Sequence, residues 1–551
     1  MTITRLRLLR AAVCGLFVLV LAACGGGGGS GDSDNDTAAG RSGTVGILLT
    51  DMPADPSLFA SINASIESVL LLGDDDNGKV TIYSGPTKTV DLLRLRNESI
   101  PFSYKDNVPA GRYCKIRLIL SDLELVLADN TPADPDDNET YHPKLPGNGK
   151  LDIVVKGCFE VGGGLVHTLQ VDIDAGRSIH IVKNAKGYNF RPVILAEVLE
   201  KDFDPRLVRL HGRIVEVDDL ERKLVICDAI PTQQMTSKGC VEVLMGDDSA
   251  FFDNQSYGGA PRSLDELFGV DKIGEQVTVV GWPHYWVPPY VDVKVPPGHY
   301  PRAGACRLWR IGVPPGLQAR PIDCDDVPDI LPPKTIVVTH EGPQKDPRHP
   351  LMVVDGLAVE LGDFLRVEGE VATDADMTGF SMTVSEGGPI IADPSLAVML
   401  QDGWPGVNGT RIVSKQGDLL DWNSIVQPLP VQVDGVLNLI AGSDPLLKAA
   451  LVILDTVVPG AEQVTGKVLS IGIDTLVVDP DADTVCGVAT DALSVGLADD
   501  LKILTVTITD SGSNIVPGGI IAVDQQVGIN GACTPAGYVT DDLVIIEDLR
   551  T

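Results

Sequence analysis

Asp479, Asp481 and Asp483, at alternate positions in "DPDAD", are the residues of this chain that most resemble a metal loop. An EF-hand takes oxygen ligands at that spacing but needs glycine at its sixth position and glutamate at its twelfth. Those positions hold Thr484 and Thr490, so an acidic hairpin turn is the expected role and no metal is expected. "GDDDNG" from Gly73 and "ADPDDNE" from Ala133 read the same way. Asp172 and Asp174 in "VDIDAGRS" share a strand face and could act as paired carboxylates. Such catalysis requires an opposing group that the sequence does not supply, so a structural or turn-capping use is expected. His340-Glu341 begins like a zinc-protease pair, yet position 344 is Gln and Pro343 breaks the helix that motif needs. No Gly-x-Ser-x-Gly elbow occurs, and Gly147-Asn148-Gly149-Lys150 lacks the upstream glycine of a phosphate loop. The sequence therefore assigns no catalytic residue, and neither an enzyme nor a cofactor is expected.

One segment gathers aromatics in a chain otherwise poor in them: "GWPHYWVPPYVDVKVPPGHYPR", residues 281–302. Trp282, Tyr285, Trp286, Tyr290 and Tyr300 lie on a proline-stiffened stretch flanked by His284 and His299. Exposed rings on such a loop could stack on sugars or grip a partner; buried ones would plug a junction between domains. The two roles predict opposite effects of truncating a ring, on binding in one case and on stability in the other.

Cys24 stands between an apolar run and five glycines. Arg5, Arg7 and Arg10 form a positive leader and Ala11 to Leu21 an apolar core too short to span a bilayer, which takes about 20 residues. Leu21-Ala22-Ala23-Cys24 resembles the lipobox of bacterial lipoproteins. That resemblance implies lipid attachment at Cys24, with residues 1–23 as a signal peptide and 24–42 as a flexible Gly/Ser/Asp tether. Two or more acyl chains hold a protein firmly where one does not. Gly rather than Asp at position 25 suggests the outer membrane of a Gram-negative envelope.

The whole chain of 551 residues carries a net charge of −33, and removing the leader makes it more acidic. Without a basic stripe such a chain repels phosphate backbones, so nucleic acid is excluded as a partner. The length exceeds one core and implies several domains. Cysteine usage fits export. Beyond Cys14 and Cys24 the cysteines fall two by two, and neighbours in order give the expected bridges Cys114–Cys158, Cys227–Cys240, Cys306–Cys324 and Cys486–Cys533. No Cys-x-x-Cys suggests a metal alternative.

The elements that hold these residues read as β. Ile62, Ala64, Ile66, Ser68 and Leu70 alternate with polar neighbours, and Asn77-Gly78 turns into "KVTIY". After Pro109 and Gly111, Cys114, Ile116, Leu118 and Leu120 share one strand face. Long amphipathic helices are missing, and "SLDELFG" near residue 265 is expected to make a helical turn or two.

"GTVGILLTDMP" from Gly43, "VDLLRLRN" from Val90 with "VPAGRYCKIRLIL", and "VDIDAGRSIHIV…GYNFRPVILAEV" to Val198 resemble a bacterial lipoprotein family, domain of unknown function 4382. The resemblance covers residues 43–200 and implies a transthyretin-like β-sandwich, with no established activity. Beyond it, "HGRIVEVDDLERKLVICD", "EGEVATDADMTGFSMTVSE" and "TGKVLSIGIDTLVVDPD" share a plan of strand, acidic turn and strand. They resemble small barrels of the oligonucleotide/oligosaccharide-binding (OB) type. An all-β chain is expected, with the sandwich followed by three units at 206–330, 335–460 and 463–549. The expected role is an outer-membrane lipoprotein acting as a binding, scaffold or envelope-structural module, with a protein or glycan partner. The rival expectations are a calcium-dependent adhesive or carbohydrate-binding protein and an exported hydrolase.

Overall fold

In the computed structural model the chain is described from residue 42 to 549, apart from 52–58, 74–77, 129–138, 163–164, 182–187, 200–205, 234, 236–237, 286–294, 328–334, 340–341, 345–349, 386–394, 416, 440–444, 456–460, 482–483, 487, 511 and 535–536. Cys24, Trp286, Tyr290, Asp483, His340-Glu341 and most of the acidic runs at 73–78 and 133–139 lie outside the described residues.

Alternating apolar residues build two sheets that bury one face each. Strands β1 (Gly43–Thr50), β2 (Phe59–Gly73), β3 (Lys79–Asp91), β4 (Ile100–Val108), β5 (Gly111–Leu127), β6 (Lys150–Val161), β7 (Val166–Ile173) and β8 (Ile194–Val198) make the sandwich. Its sheets run β8-β7-β1-β4 and β6-β5-β2-β3. Val45, Ile47 and Leu49 of β1 meet Ile116, Leu118 and Leu120 of β5 in the shared core. Gly46 faces the other way, where a Cβ would lie 2.1 Å from the Tyr104 ring. Only glycine lets that buried ring cross the strand.

Beyond the sandwich lie three closed barrels of one topology, the first carrying an insertion with a small four-stranded sheet of its own. In the first, β9 (Val208–Asp218) pairs with β10 (Lys223–Cys227), which pairs with β11 (Cys240–Asp253). Strand β12 (Gln276–His284) pairs with β9, and β13 (Pro350–Leu361) closes the ring by running antiparallel to β12 and parallel to β11. The second barrel repeats this with β14 (Leu365–Asp376), β15 (Gly379–Val384), β16 (Ser395–Leu400), β17 (Pro430–Asn438) and β18 (Leu446–Leu454). The third uses β19 (Ala461–Ile471), β20 (Thr475–Pro480), β21 (Leu493–Thr509), β23 (Gln526–Thr534) and β24 (Gly537–Asp548), with β22 (Gly512–Pro517) as an extra hairpin strand. Five strands joined with a single parallel pair in each ring are the Greek-key OB arrangement.

The barrels differ from beads on a string in two ways. Strand β13 falls within the expected second unit, 335–460, but its pairings place it in the first barrel, and the second begins at β14. Its run "LMVVDGLAVEL" is largely apolar on both faces, one packing into the barrel core and the other, at Leu357 and Ala358, against the second barrel. The insertion at 285–349 separates it from β12 in sequence and hid the connection. Second, β22 runs parallel to β6 with Ser513 opposite Leu151 and Ile515 opposite Ile153. The third barrel thereby extends a sheet of the sandwich.

The sulfurs of Cys114–Cys158, Cys227–Cys240, Cys306–Cys324 and Cys486–Cys533 are within bonding distance, at 2.16, 1.92, 2.09 and 2.04 Å. Each pair lies within one module. Among the described residues no helix is long and apolar enough to cross a membrane.

Candidate functional site

Three modules meet at a buried cluster of charge. Arg209 projects from β9, and its guanidinium donates to both oxygens of Glu98 in the sandwich, at 2.9 and 2.8 Å. It also donates to Asp434 on β17 of the second barrel. Arg366 on β14 lies 3.3 Å from Glu98 and donates to Gln432 at 2.8 Å. Glu98 is fully buried, and burial alone would raise its pKa. The charges of Arg209 and Arg366 outweigh that and bring it down to about 2. Burial raises Asp434 despite Arg209. Glu360, on β13, is pushed well above the ordinary carboxylate range by burial and then by the Asp434 charge. Glu360 Oε1 and Asp434 Oδ1 have no hydrogen-bond partner among the described residues. Beside this cluster Asp455 pairs with Arg96 of the sandwich at 2.6 Å and with Lys415 at 2.6 Å.

Apolar packing accompanies the ions. Leu207, Val280 and Ala358 of the first barrel meet Val413, Leu451 and Ile453 of the second, with Trp282 against them. Leu48 and Tyr104 of the sandwich join the core of the first barrel, and the Tyr104 hydroxyl lies 2.9 Å from Thr168 Oγ1. The third barrel is tied to the sandwich by Arg177, fully buried, whose guanidinium donates to Asp542 at 2.8 Å and also binds Asp174.

The described rings of the aromatic segment go to different places. Trp282 packs into the seam between barrels, where Gly417 adopts φ +94° and a Cβ would fall 2.2 Å from the indole nitrogen. Tyr285 is 46 % exposed. Tyr300 packs onto the small core of Val295, Trp309, Ile336 and Val338 within the insertion. His284 lies 3.2 Å from Asp355, while His299 meets Trp309 edge-on.

The paired aspartates take separate partners. Asp174 caps the one-turn helix Ala175–Ser178 and accepts from the Arg177 backbone N–H at 2.8 Å. Asp172 lies 3.8 Å from Arg206. Asp51, fully buried, accepts from the Ala175 N–H at 2.9 Å, and burial pushes its carboxyl well up. Asp479 is exposed on β20, and Asp481 accepts from the Gln526 amide at 2.8 Å. Among the described residues no group of three or more His, Cys, Asp or Glu is arranged to hold a metal ion.

A second feature is an open groove of about 500 Å³ on the outer wall of the first barrel. Its floor is His211 and Arg213 of β9 opposite Thr278 and Gln276 of β12, and its rim includes Asp228, Asn254, Gln255 and Asp363. His211 Nδ1 lies 2.9 Å from Thr278 Oγ1. Desolvation, then the neighbouring Arg209 charge, lowers the His211 pKa.

Neither the cluster nor the groove was found by motif. Glu360 leaves a signal, as an acid within the apolar run Leu357–Leu361. Arg209 carries no such signal, and only the assembly of modules pairs it with Glu98 and Asp434.

Fold and site together define an all-β, multi-module protein with a sandwich and three OB-topology barrels. Residues 42–192, which are the sandwich up to its last strand, match the family model described as Domain of unknown function (DUF4382). No curated protein matches the chain, and no solved structure does.

Proposed function

We propose that the protein is a lipid-anchored component of the outer membrane, held at Cys24 and acting as a non-enzymatic binding or scaffold module. The observation that carries the scaffold part is the locking of modules to one another. Glu98, Arg209 and Asp434 come from three modules, and β22 adds to a strand of the sandwich. Chains of simple spacers need no such buried contacts. Here buried ions and shared sheets hold the barrels in a fixed arrangement, as a body that presents surfaces needs. The lipobox-like Leu21-Ala22-Ala23-Cys24 and the glycine-rich tether support the anchor. Four local disulfides suit an oxidising compartment. The acidic balance argues against nucleic acid as the partner.

The test is fractionation of cells expressing the full chain or its Cys24→Ser variant. The native chain is expected in the outer-membrane fraction and the variant in the soluble fraction. Equal membrane association of both would refute the anchor.

A further inference from the structure

We propose that the groove on the first barrel is a binding site for a neutral, polyhydroxylated ligand, a short oligosaccharide. It rests on reading the body as a binding module, whose anchoring is tested separately by fractionation. The groove, at about 500 Å³, falls within the range of small-molecule sites, roughly 300–1,000 Å³. That size suits a few sugar rings.

Its chemistry is specific in kind. Gln276, Asp228 and Asp363 line the groove and are exposed, so their amide and carboxylates are open to a ligand. An amide offers two donors and an acceptor, and a carboxylate accepts from adjacent hydroxyls. Arg213 adds donors, although one of its nitrogens is engaged by the Gly274 carbonyl at 2.8 Å. Vicinal hydroxyls are both donors and acceptors and answer this mixture group for group. One guanidinium stands against two carboxylates, so the groove presents both signs of charge. An anionic ligand would meet Asp228 and Asp363 within a strongly acidic protein, and a cation would meet Arg213. A neutral ligand meets neither penalty.

The frame is rigid. His211 and Thr278 are directly opposed across β9 and β12, and so are Arg213 and Gln276. The Cys227–Cys240 bridge ties β10 to β11 immediately before Asp228. Asn254 at the rim is held by the Asp363 carbonyl at 2.6 Å. A backbone frame held in this way needs little rearrangement when a ligand binds. The groove is on the wall made by the first and fourth strands of the barrel. OB barrels ordinarily bind on the second and third strands, so the site follows from the geometry here and not from the fold.

The experiment is titration of the full chain, purified in polyoxyethylene detergent, with chitotriose and maltotriose, read by saturation-transfer NMR and calorimetry. Inorganic phosphate and Ca²⁺ serve as charged probes. At least one trisaccharide is expected to bind at millimolar concentration or below. The His211→Ala/Gln276→Ala variant should weaken it about tenfold or more, as loss of two hydrogen-bonding groups implies. Gln276→Glu, which keeps the shape and adds charge, should weaken it too. No binding by either trisaccharide would overturn the proposal, and so would binding unaffected by both variants. Tighter binding of phosphate or Ca²⁺, abolished by the same variants, would overturn the ligand class.

Discussion

Arg209→Leu puts the junction between modules under the most direct strain. The substitution removes a guanidinium that donates to Glu98 at 2.9 and 2.8 Å and also binds Asp434. Both carboxylates stay fully buried in the folded chain. Removing one partner of a buried ion pair costs about 3–5 kcal/mol, because the other charge is left without compensation. Glu98 retains Arg366 at 3.3 Å, and Asp434, already raised by burial, can take up a proton. These reliefs place the expected cost near the lower bound, about 3 kcal/mol. The effect should be regional, on opening of the junction. Hydrogen exchange of the full chain in detergent should show backbone amides at 208–211 and 431–435 exchanging roughly a hundredfold faster. Strands of the third barrel should keep their protection. Adding Glu98→Gln and Asp434→Asn to Arg209→Leu leaves no buried charge in that contact and should recover at least half the loss. Unchanged exchange at 208–211 in Arg209→Leu would refute the lock, as would no recovery in the triple variant.

Other consequences follow from the same geometry. Glu98, depressed to about 2, adds stability that is fully present above its unfolded value near 4.5 and is lost as pH falls toward 2. Unfolding of the native chain and Glu98→Gln at pH 7 and pH 3 should show the gap between them narrowing at the acid end, from about 3 kcal/mol. Glu360 has the opposite sign. Its raised carboxyl stays protonated when folded and ionises when unfolded, so stability falls as pH rises through the ordinary range. Glu360→Gln should stabilise at pH 7 and be neutral at pH 4 in denaturant titrations. Trp282→Ala should cost about 3 kcal/mol in thermal unfolding, since the ring fills the seam beside Gly417. A loss below about 0.5 kcal/mol would mean that the ring is dispensable there.

The strands were legible because their pattern is local. Ile62, Ala64 and Ile66 alternate with half-exposed neighbours, and the structure buries those three in the sandwich core. The repeated strand–turn–strand text located the barrels because each begins with the same hairpin. What the sequence could not yield is non-local. Strand β13 joins a barrel whose previous strand ends at His284. Strand β22 reaches back to β6 across most of the chain. Neither pairing leaves a periodic trace. The aromatic segment was conspicuous by composition, yet Trp282 and Tyr300 face different cores. Composition shows that rings are near in sequence, not that they share a surface. Arg209 and Glu98 are far apart in sequence and gain meaning only when the first barrel docks on the sandwich.

The anchor at Cys24 is the central claim, and mass spectrometry of the mature amino-terminal peptide from isolated envelopes tests it most directly. The account predicts a peptide that begins at Cys24 and carries a diacylglyceryl group and an N-linked acyl chain. An unmodified amino terminus, at Cys24 or downstream of it, would contradict the account.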